Sequence, residues 1–256
     1  MKRKKILTFI FLGLILPLSI SSNANYNEFL SSQKRHPRVR AAISEKEEVV
    51  SGFLEKSGFE LNDINILFIA LKEEKQLVVY AKRKSEVTYK ELTRYKICRI
   101  SGKLGPKKKE GDFQVPEGFY FIDRFNPESR FHLSLGINYP NQADRIRSGP
   151  QNPGSDIFIH GSCATVGCLP MTDDKIKELY LLAMYARNNG QLRIPVYIFP
   201  FEMTRRNFSS KNLKHRNDKD LLSFWSNLRK GFEKFDSEKM ELKVAVDQQG
   251  KYLFRD

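Results

Sequence analysis

The stretch Ile157-Phe158-Ile159-His160-Gly161-Ser162-Cys163-Ala164-Thr165-Val166-Gly167-Cys168 combines a strong structural signal with reactive side chains. Residues 157–159 are short, apolar and bounded by turn formers, which is typical of a buried strand. Such a strand delivers His160 at its end, and a loop rich in small residues can fold Cys168 back against it. Since imidazole is the usual activator of a nucleophilic thiol, we predict Cys168 as nucleophile and His160 as its base.

The loop between these two residues offers supporting groups. Gly167 permits a tight turn and a close approach of backbone to a substrate. The loop amides are candidate oxyanion donors, and Thr165 adds a hydroxyl contact. Ser162, together with Tyr139 and Lys103 from other loops, is a candidate substrate contact.

The chain has three cysteines, an odd number that indicates at least one free thiol. Cys98 stands alone in a strand-like run and is interpreted as a buried apolar side chain. Cys163 and Cys168 leave alternatives open: a disulfide between them, or a metal site with His160 in the spacing H-x2-C-x4-C, which lacks an obvious fourth ligand. His160 as a purely structural histidine is a further alternative.

Periodicity predicts a β-dominated α+β fold with helical additions at both ends. Helices are predicted over residues 38–57, 172–190 and 221–232. Strands are predicted over residues 64–71, 77–80, 95–100, 119–122, 131–135, 157–159, 196–199, 242–246 and 251–254. A polar hairpin, residues 72–76, joins the first two strands.

The N-terminus has the features of a secretory signal peptide, residues 1–24. Four basic residues precede an apolar stretch, residues 6–18, that is short for a membrane span. Small residues at Ser22 and Ala24 place the cleavage site near Ala24. An uncleaved anchor is the alternative, and the stretch does not end in a cysteine for lipid attachment. We therefore expect an exported protein with no stable membrane span after cleavage.

The chain carries a formal net charge of +14, of which about +10 remains without the signal peptide. For an exported protein we expect anionic partners such as wall peptides with free carboxylates, and no nucleic acid. Lys103, Lys107, Lys108 and Lys109 lie in one Gly- and Pro-rich loop and are candidates to attract such a peptide. A solvated lysine-rich surface is the alternative.

Several ordered motifs resemble the L,D-transpeptidase catalytic domain family, also called the YkuD or ErfK domain. His160-Gly161 followed by Thr165-Val166-Gly167-Cys168 is similar to its active-site motif, and the compact form HGSCATVGCLPM is similar to the YafK-type branch. The segments SGKLGPKKKEGDFQVPEGFY, residues 101–120, and FNPESRFHLSLGINYPN, residues 125–141, fit the same branch. The resemblance spans about residues 67–201.

The resemblance implies a β-sandwich-like catalytic domain over residues 61–201, an N-terminal helical segment over 25–60, and a C-terminal helix and strands over 202–256 packed on it. It implies attack by Cys168 on peptidoglycan stem peptides at diaminopimelate, forming a thioester, with His160 as base oriented by the Gly161 carbonyl. It implies a location in the periplasm of a Gram-negative bacterium, with no cofactor and no metal. It also disfavours a disulfide that would block Cys168.

Two departures from the commoner family pattern concern the substrate. Val166 stands where many members have a second histidine, and Pro170 stands where an arginine often follows the cysteine. These changes leave open how substrate carboxylates are held, and whether an amine or water accepts the acyl group. The alternatives are therefore a hydrolase that trims stems or releases a wall-attached outer-membrane lipoprotein, and a catalytically silent wall-binding module.

Overall fold

The computed structural model describes residues 22–255. Within this range, two α-helices come first, five strands follow, and helices and strands are interspersed after residue 141. The helices are α1 (Ser22–Lys34), α2 (Pro37–Lys56), α3 (Gln142–Ser148), α4 (Asp173–Asn188), α5 (Arg205–Lys214) and α6 (Lys219–Glu238). The strands are β1 (Ile64–Leu71), β2 (Gln76–Arg83), β3 (Lys90–Lys96), β4 (Gly118–Asn126), β5 (Ser134–Ile137), β6 (Phe158–His160), β7 (Leu169–Pro170), β8 (Ile194–Phe199), β9 (Lys243–Val246) and β10 (Tyr252–Arg255).

Eight strands form one mixed sheet in the order β3-β2-β1-β8-β4-β5-β6-β7, and β9 and β10 form a separate hairpin. The pairs β1–β8 and β6–β7 are parallel, and the other neighbours are antiparallel. The short strands β6 and β7 therefore lie at one edge of the sheet, beyond β5. This edge holds both His160 and the segment that begins after Cys168.

Both faces of the sheet are covered, because successive strand residues point to opposite sides. In β1, Ile66 and Phe68 pack in the core on the α2 and α4 side. Leu67 and Ile69 pack in a second core with Trp225 of α6 and the β9–β10 hairpin. The α+β, β-dominated fold with helices at both ends is thus confirmed, and the sandwich-like layering comes from one sheet between two helical layers.

A buried ion pair fixes the connection between β3 and β4 to the C-terminal helix. The side chains of Lys72 and Glu117 are fully buried, with Nζ 2.8 Å from Oε1. Lys72 also donates to the carbonyls of Lys103, Gly105 and Val115. Glu117 accepts from Gly105 N and from Nε1 of Trp225. The hairpin predicted to be polar therefore contributes a lysine to the interior, where four oxygens surround its ammonium.

Two predicted strands are displaced. The third strand is Lys90–Lys96 and ends before Cys98, whose N–H donates to the carbonyl of Pro170. The strand expected at residues 131–135 begins at Ser134, since His132 has φ +69°, which is outside the extended region.

Periodicity does not predict α1, α3 or α5 individually, although most of α1 lies in the N-terminal helical segment expected over residues 25–60. The predicted signal peptide falls largely in residues 1–21, outside the described residues, so that prediction stays untested. Within residues 22–255, no helix is long and apolar enough to cross a membrane.

Candidate active site

The pairing of β6 with β7 brings His160 and Cys168 to the same face of the sheet. Ile159 is level with Leu169 and His160 with Pro170, so Cys168 is level with Phe158. Ile159 and Leu169 pack in the core beside α2 and α4. Because side chains alternate, Cys168 and His160 project from the opposite face, two positions apart. Helix α2, in the N-terminal segment, therefore packs behind the site.

His160 is held in one tautomer by its own chain. Nδ1 lies 2.5 Å from the carbonyl oxygen of Gly161. A carbonyl only accepts, so Nδ1 carries the proton and Nε2 of the neutral ring keeps a free lone pair. The residue is buried, and burial lowers the pKa of the imidazole. The ring of Phe131 stacks on it, with centroids 4.7 Å apart. The imidazole is thus neutral, oriented and covered.

Cys168 is a free, half-buried thiol. Its Sγ donates to the carbonyl of Asp156 at 3.6 Å. Burial is the main reason that the thiol pKa is raised above its ordinary value. In residues 22–255 no hydrogen bond joins Sγ to the imidazole of His160, and both pKa shifts favour the neutral thiol and the neutral ring.

The cysteine loop, residues 161–168, is fixed mainly by Thr165 and Asp173. The Thr165 hydroxyl donates to the carbonyl of Cys168 at 2.9 Å and accepts from the amides of Gly167 and Cys168. Asp173, in the first turn of α4, accepts from Ser162 N at 2.8 Å. Because the amides of Gly167 and Cys168 are already bonded to Thr165, they are not free oxyanion donors in this conformation. Thr165 supports the loop.

A disulfide ties the cysteine loop to the chain after β3. Cys163 is bonded to Cys98. The interpretation of Cys98 as an isolated apolar side chain was therefore wrong, as were the alternatives that joined Cys163 to Cys168 or to a metal. Sequence could not reveal the pairing, since the two cysteines are 65 residues apart and meet only when β7 is placed beside Ile97-Cys98.

Gly167 lies against the lysine loop, residues 102–114. Its φ is +129°, and a Cβ at this position would lie 3.1 Å from the carbonyl oxygen of Gln114. A side chain would be both strained and crowded there, which explains the glycine directly before Cys168. The two loops are in contact at this point.

The other predicted substrate contacts fall in different places. Tyr139 is buried, and its hydroxyl donates to the carbonyl of Pro153 at 3.0 Å, so it supports loops and does not line a groove. Lys107 is also buried, in an ion pair with Asp112 at 2.6 Å. Lys103, Lys108 and Ser162 are exposed and remain candidates.

Sequence reasoning missed Asp156, Arg124 and Phe131. Asp156 bonds the thiol through its carbonyl, and its carboxylate pairs with Arg124 at 2.8 Å. Arg124 also lies over the ring of Phe158, 4.9 Å from its centroid. Asp156 has φ +59°, an uncommon conformation that the sequence does not signal. These residues come from three separate segments, so no local motif connects them.

No group of three or more histidine, cysteine, aspartate or glutamate side chains is placed to hold a metal ion in the part of the chain that the structure describes. The site consists of a thiol, an imidazole and backbone groups, an arrangement suited to acyl transfer through a covalent intermediate.

Comparison with known proteins identifies the class to which this site belongs. Residues 64–198 match the family model of the L,D-transpeptidase catalytic domain, YkuD. The chain therefore belongs to the L,D-transpeptidase family. It is 38% identical over 184 residues to the putative L,D-transpeptidase YafK of Escherichia coli strain K12, which covers 71% of this chain and 70% of that protein. The protein of the same name from Escherichia coli O157:H7 matches equally.

Two solved structures are more distantly similar. The helical cell shape determining protein Pgp2 from Campylobacter jejuni has a TM-score of 0.43 and 18% identity, with 77% of this chain and 80% of that chain covered. Bd1075 from Bdellovibrio bacteriovorus has a TM-score of 0.39 and 19% identity, with coverages of 72% and 75%.

Proposed function

We propose that the protein is a periplasmic enzyme that acts on peptidoglycan stem peptides at diaminopimelate through a thioester on Cys168. The observation that carries the proposal is the shared sheet face of Cys168 and His160, with the imidazole fixed by the Gly161 carbonyl at 2.5 Å. Membership of the L,D-transpeptidase family supports the reaction class.

In the proposed reaction, Sγ first rotates away from the Asp156 carbonyl and meets the substrate carbonyl carbon. Nε2 of His160 removes the thiol proton as the S–C bond forms, and the imidazolium is held through Nδ1 by Gly161. The proton then passes to the departing amine as the C–N bond breaks, which leaves a thioester on Cys168. An amine acceptor or water completes the reaction by displacing the thiolate.

The neutral resting pair fits this sequence of steps. Burial raises the pKa of Cys168 and lowers that of His160, so both shifts oppose a preformed thiolate–imidazolium pair. Proton transfer is therefore expected to accompany attack. A thiol that is protonated at rest is also less prone to oxidation and to disulfide exchange with Cys98–Cys163, since the thiolate is the reactive form.

The test is incubation of the purified protein with diaminopimelate-containing sacculi, with and without a D-amino acid acceptor, followed by mass spectrometry of the fragments. Exchange or new crosslinks identify an amine acceptor and a transpeptidase. Shortened stems or released wall-attached protein without exchange identify water as the acceptor and a hydrolase.

Cys168→Ala is the matched control. We expect activity to fall to background, at least about a thousandfold, with an unchanged circular dichroism spectrum, because the covalent step is lost. If this variant retains turnover, the assignment of Cys168 as the nucleophile is contradicted. Cys168→Ala and wild type that are equally inert on sacculi would instead favour a wall-binding module.

A further inference from the structure

A basic cleft of about 700 Å³ lies beside the lysine loop, outside the cysteine and histidine site. Its walls are the lysine loop, the end of α3, the beginning of α6 and the turn between β9 and β10. Two of these four walls come from residues beyond 198, where the match to the family model ends. The cleft therefore combines the catalytic domain with the C-terminal segment.

Arg147 of α3 is the unusual residue in this cleft. Its guanidinium lies over the ring of Phe224, 4.4 Å from the centroid. Nε and Nη2 are buried, and neither has a hydrogen-bond partner in residues 22–255. The nearby carboxylate of Asp144 is engaged elsewhere, with Tyr120 and with the amide of Asn141. Unpaired buried donors of a charged group are unfavourable, so this guanidinium is suited to an anion that binds in the cleft.

The remaining charges of the cleft favour an anion as well. Lys103, Lys108, Lys109 and Lys251 line it, and none of them forms an ion pair in the described chain. Three carboxylates also line it, and two of these are occupied. Asp112 is paired with Lys107, and Asp218 caps α6 by accepting from Leu221 N. Among the described residues, Asp220 is the lining carboxylate without such a partner. The lysines and Arg147 outnumber its single negative charge, so the cleft presents a net positive surface.

The size and the apolar side chains of the cleft indicate the kind of anion. Leu104, Pro106, Leu221 and Phe224 supply apolar surface beside the charges. A volume of about 700 Å³ is that of a site for a drug-sized organic ligand, larger than an inorganic ion requires. The cleft also adjoins the cysteine loop, since Gln114 lines it and touches the position of Gly167 with its carbonyl.

We propose that the basic cleft binds a peptide segment bearing a free carboxylate, with Arg147 as the group that contacts the carboxylate. The identification of that peptide as a wall stem rests on the proposed function. The guanidinium of Arg147 supplies the positive charge that a carboxylate requires, and it packs against the ring of Phe224. The unpaired lysines raise the local concentration of the anionic peptide.

Binding is measured with the full chain carrying Cys168→Ala, so that bound peptide is not converted. The probe is the tripeptide L-alanyl-γ-D-glutamyl-diaminopimelate with free carboxylates, compared with its fully amidated form and with inorganic phosphate. Isothermal titration gives affinity. Fluorescence of Trp225, the single tryptophan, gives location, because its ring lies 5.2 Å from that of His215, which lines the cleft.

Arg147→Gln and Arg145→Gln form a matched pair, since both remove one positive charge from α3 and Arg145 is exposed outside the cleft. We expect Arg147→Gln to weaken binding of the acidic tripeptide about tenfold or more and Arg145→Gln about twofold or less. Lys251→Gln, in the adjacent turn between β9 and β10, is expected to weaken binding by an intermediate factor. The amidated peptide should bind at least about tenfold more weakly than the acid.

Equal effects of the two arginine substitutions would overturn the proposal, as would equal binding of the amidated peptide. Phosphate that displaces the tripeptide with the same dependence on Arg147 would also overturn it, by making the cleft a site for compact anions. If the tripeptide binds through Arg147 but the protein is inactive on sacculi, the cleft proposal holds and the proposed function fails. If the protein is active on sacculi but Arg147 does not affect binding, the proposed function holds and the cleft proposal fails.

Discussion

The cysteine loop and the lysine loop meet at Gly167, yet they are built in opposite ways. The cysteine loop is bonded from within by Thr165, from α4 by Asp173, and from the chain after β3 by the disulfide. The lysine loop is bonded on its inner side through Lys72 and Lys107, and at its tip through Glu110 and Asn152. Its outer lysines have no ion-pair partner among the described residues. The first loop is held from several sides around Cys168, and the second leaves exposed lysine charges at the surface.

The largest effect on stability is expected from replacing Lys72, which holds the inner side of the lysine loop. We expect Lys72→Met to lower the free energy of unfolding by about 3–5 kcal/mol, because Glu117 is left as a buried charge without its cation. Urea denaturation measures this effect, with Lys90→Met, an exposed lysine of β3, as control. A loss similar to that of the control would mean that the ion pair does not anchor this loop.

Removing the disulfide is the second test of the difference between the two loops. The double substitution Cys98→Ser and Cys163→Ser should lower the free energy of unfolding by about 2–4 kcal/mol, since it opens a closed segment of 65 residues. Activity should fall but remain above that of Cys168→Ala, because the thiol and imidazole are intact. Reductant should lower the stability of the wild type by the same amount as the double substitution, and it should leave the stability of the double variant unchanged. A change in the double variant on adding reductant would show that the disulfide is not the cause.

The pH dependence tests whether the resting pair is neutral. The reaction needs neutral His160, so the rate falls as pH drops through its pKa. Burial lowers that pKa, which moves the acid limb of kcat/KM below the ordinary histidine value of about 6.5. The raised thiol pKa should keep the alkaline limb above about 8.5.

The control is His132→Asn, which alters a neighbouring histidine and retains a residue that tolerates its positive φ. This variant should leave the acid limb in place. An acid limb above about 6.5 in the wild type would contradict a His160 pKa lowered by burial.

The smallest effects are expected on the outer side of the lysine loop. Lys108→Gln should weaken binding of anionic peptide about two- to threefold at low salt and less at high salt, since the charge is exposed. Lys107→Gln should instead reduce thermal stability, because it leaves Asp112 without its ion-pair partner. If the two variants show the same change in peptide binding and the same change in thermal stability, the inner and outer lysines do not differ in role.

Residues of the candidate site that lie close together in the sequence were predictable, whereas residues brought in from other segments were not. His160, Gly161, Thr165 and Cys168 lie within nine residues, and one strand followed by a loop of small residues predicts their proximity. Asp156 lies just upstream, but its role depends on a positive φ that no motif signals. Tyr139 was placed in a groove because it lies in a loop, whereas packing between loops buries it.

By itself, the sequence determined the β-dominated α+β class and the family, and it predicts the reactive histidine and cysteine, because these depend on periodicity and on contiguous motifs. Only the tertiary structure decided that Cys98 pairs with Cys163, that Lys72 and Lys107 turn inward, and that Arg147 stacks over Phe224 in the basic cleft. Those features join segments far apart in the chain. Whether a cysteine is paired, a lysine buried or an arginine left without a partner depends on which segments the fold brings into contact.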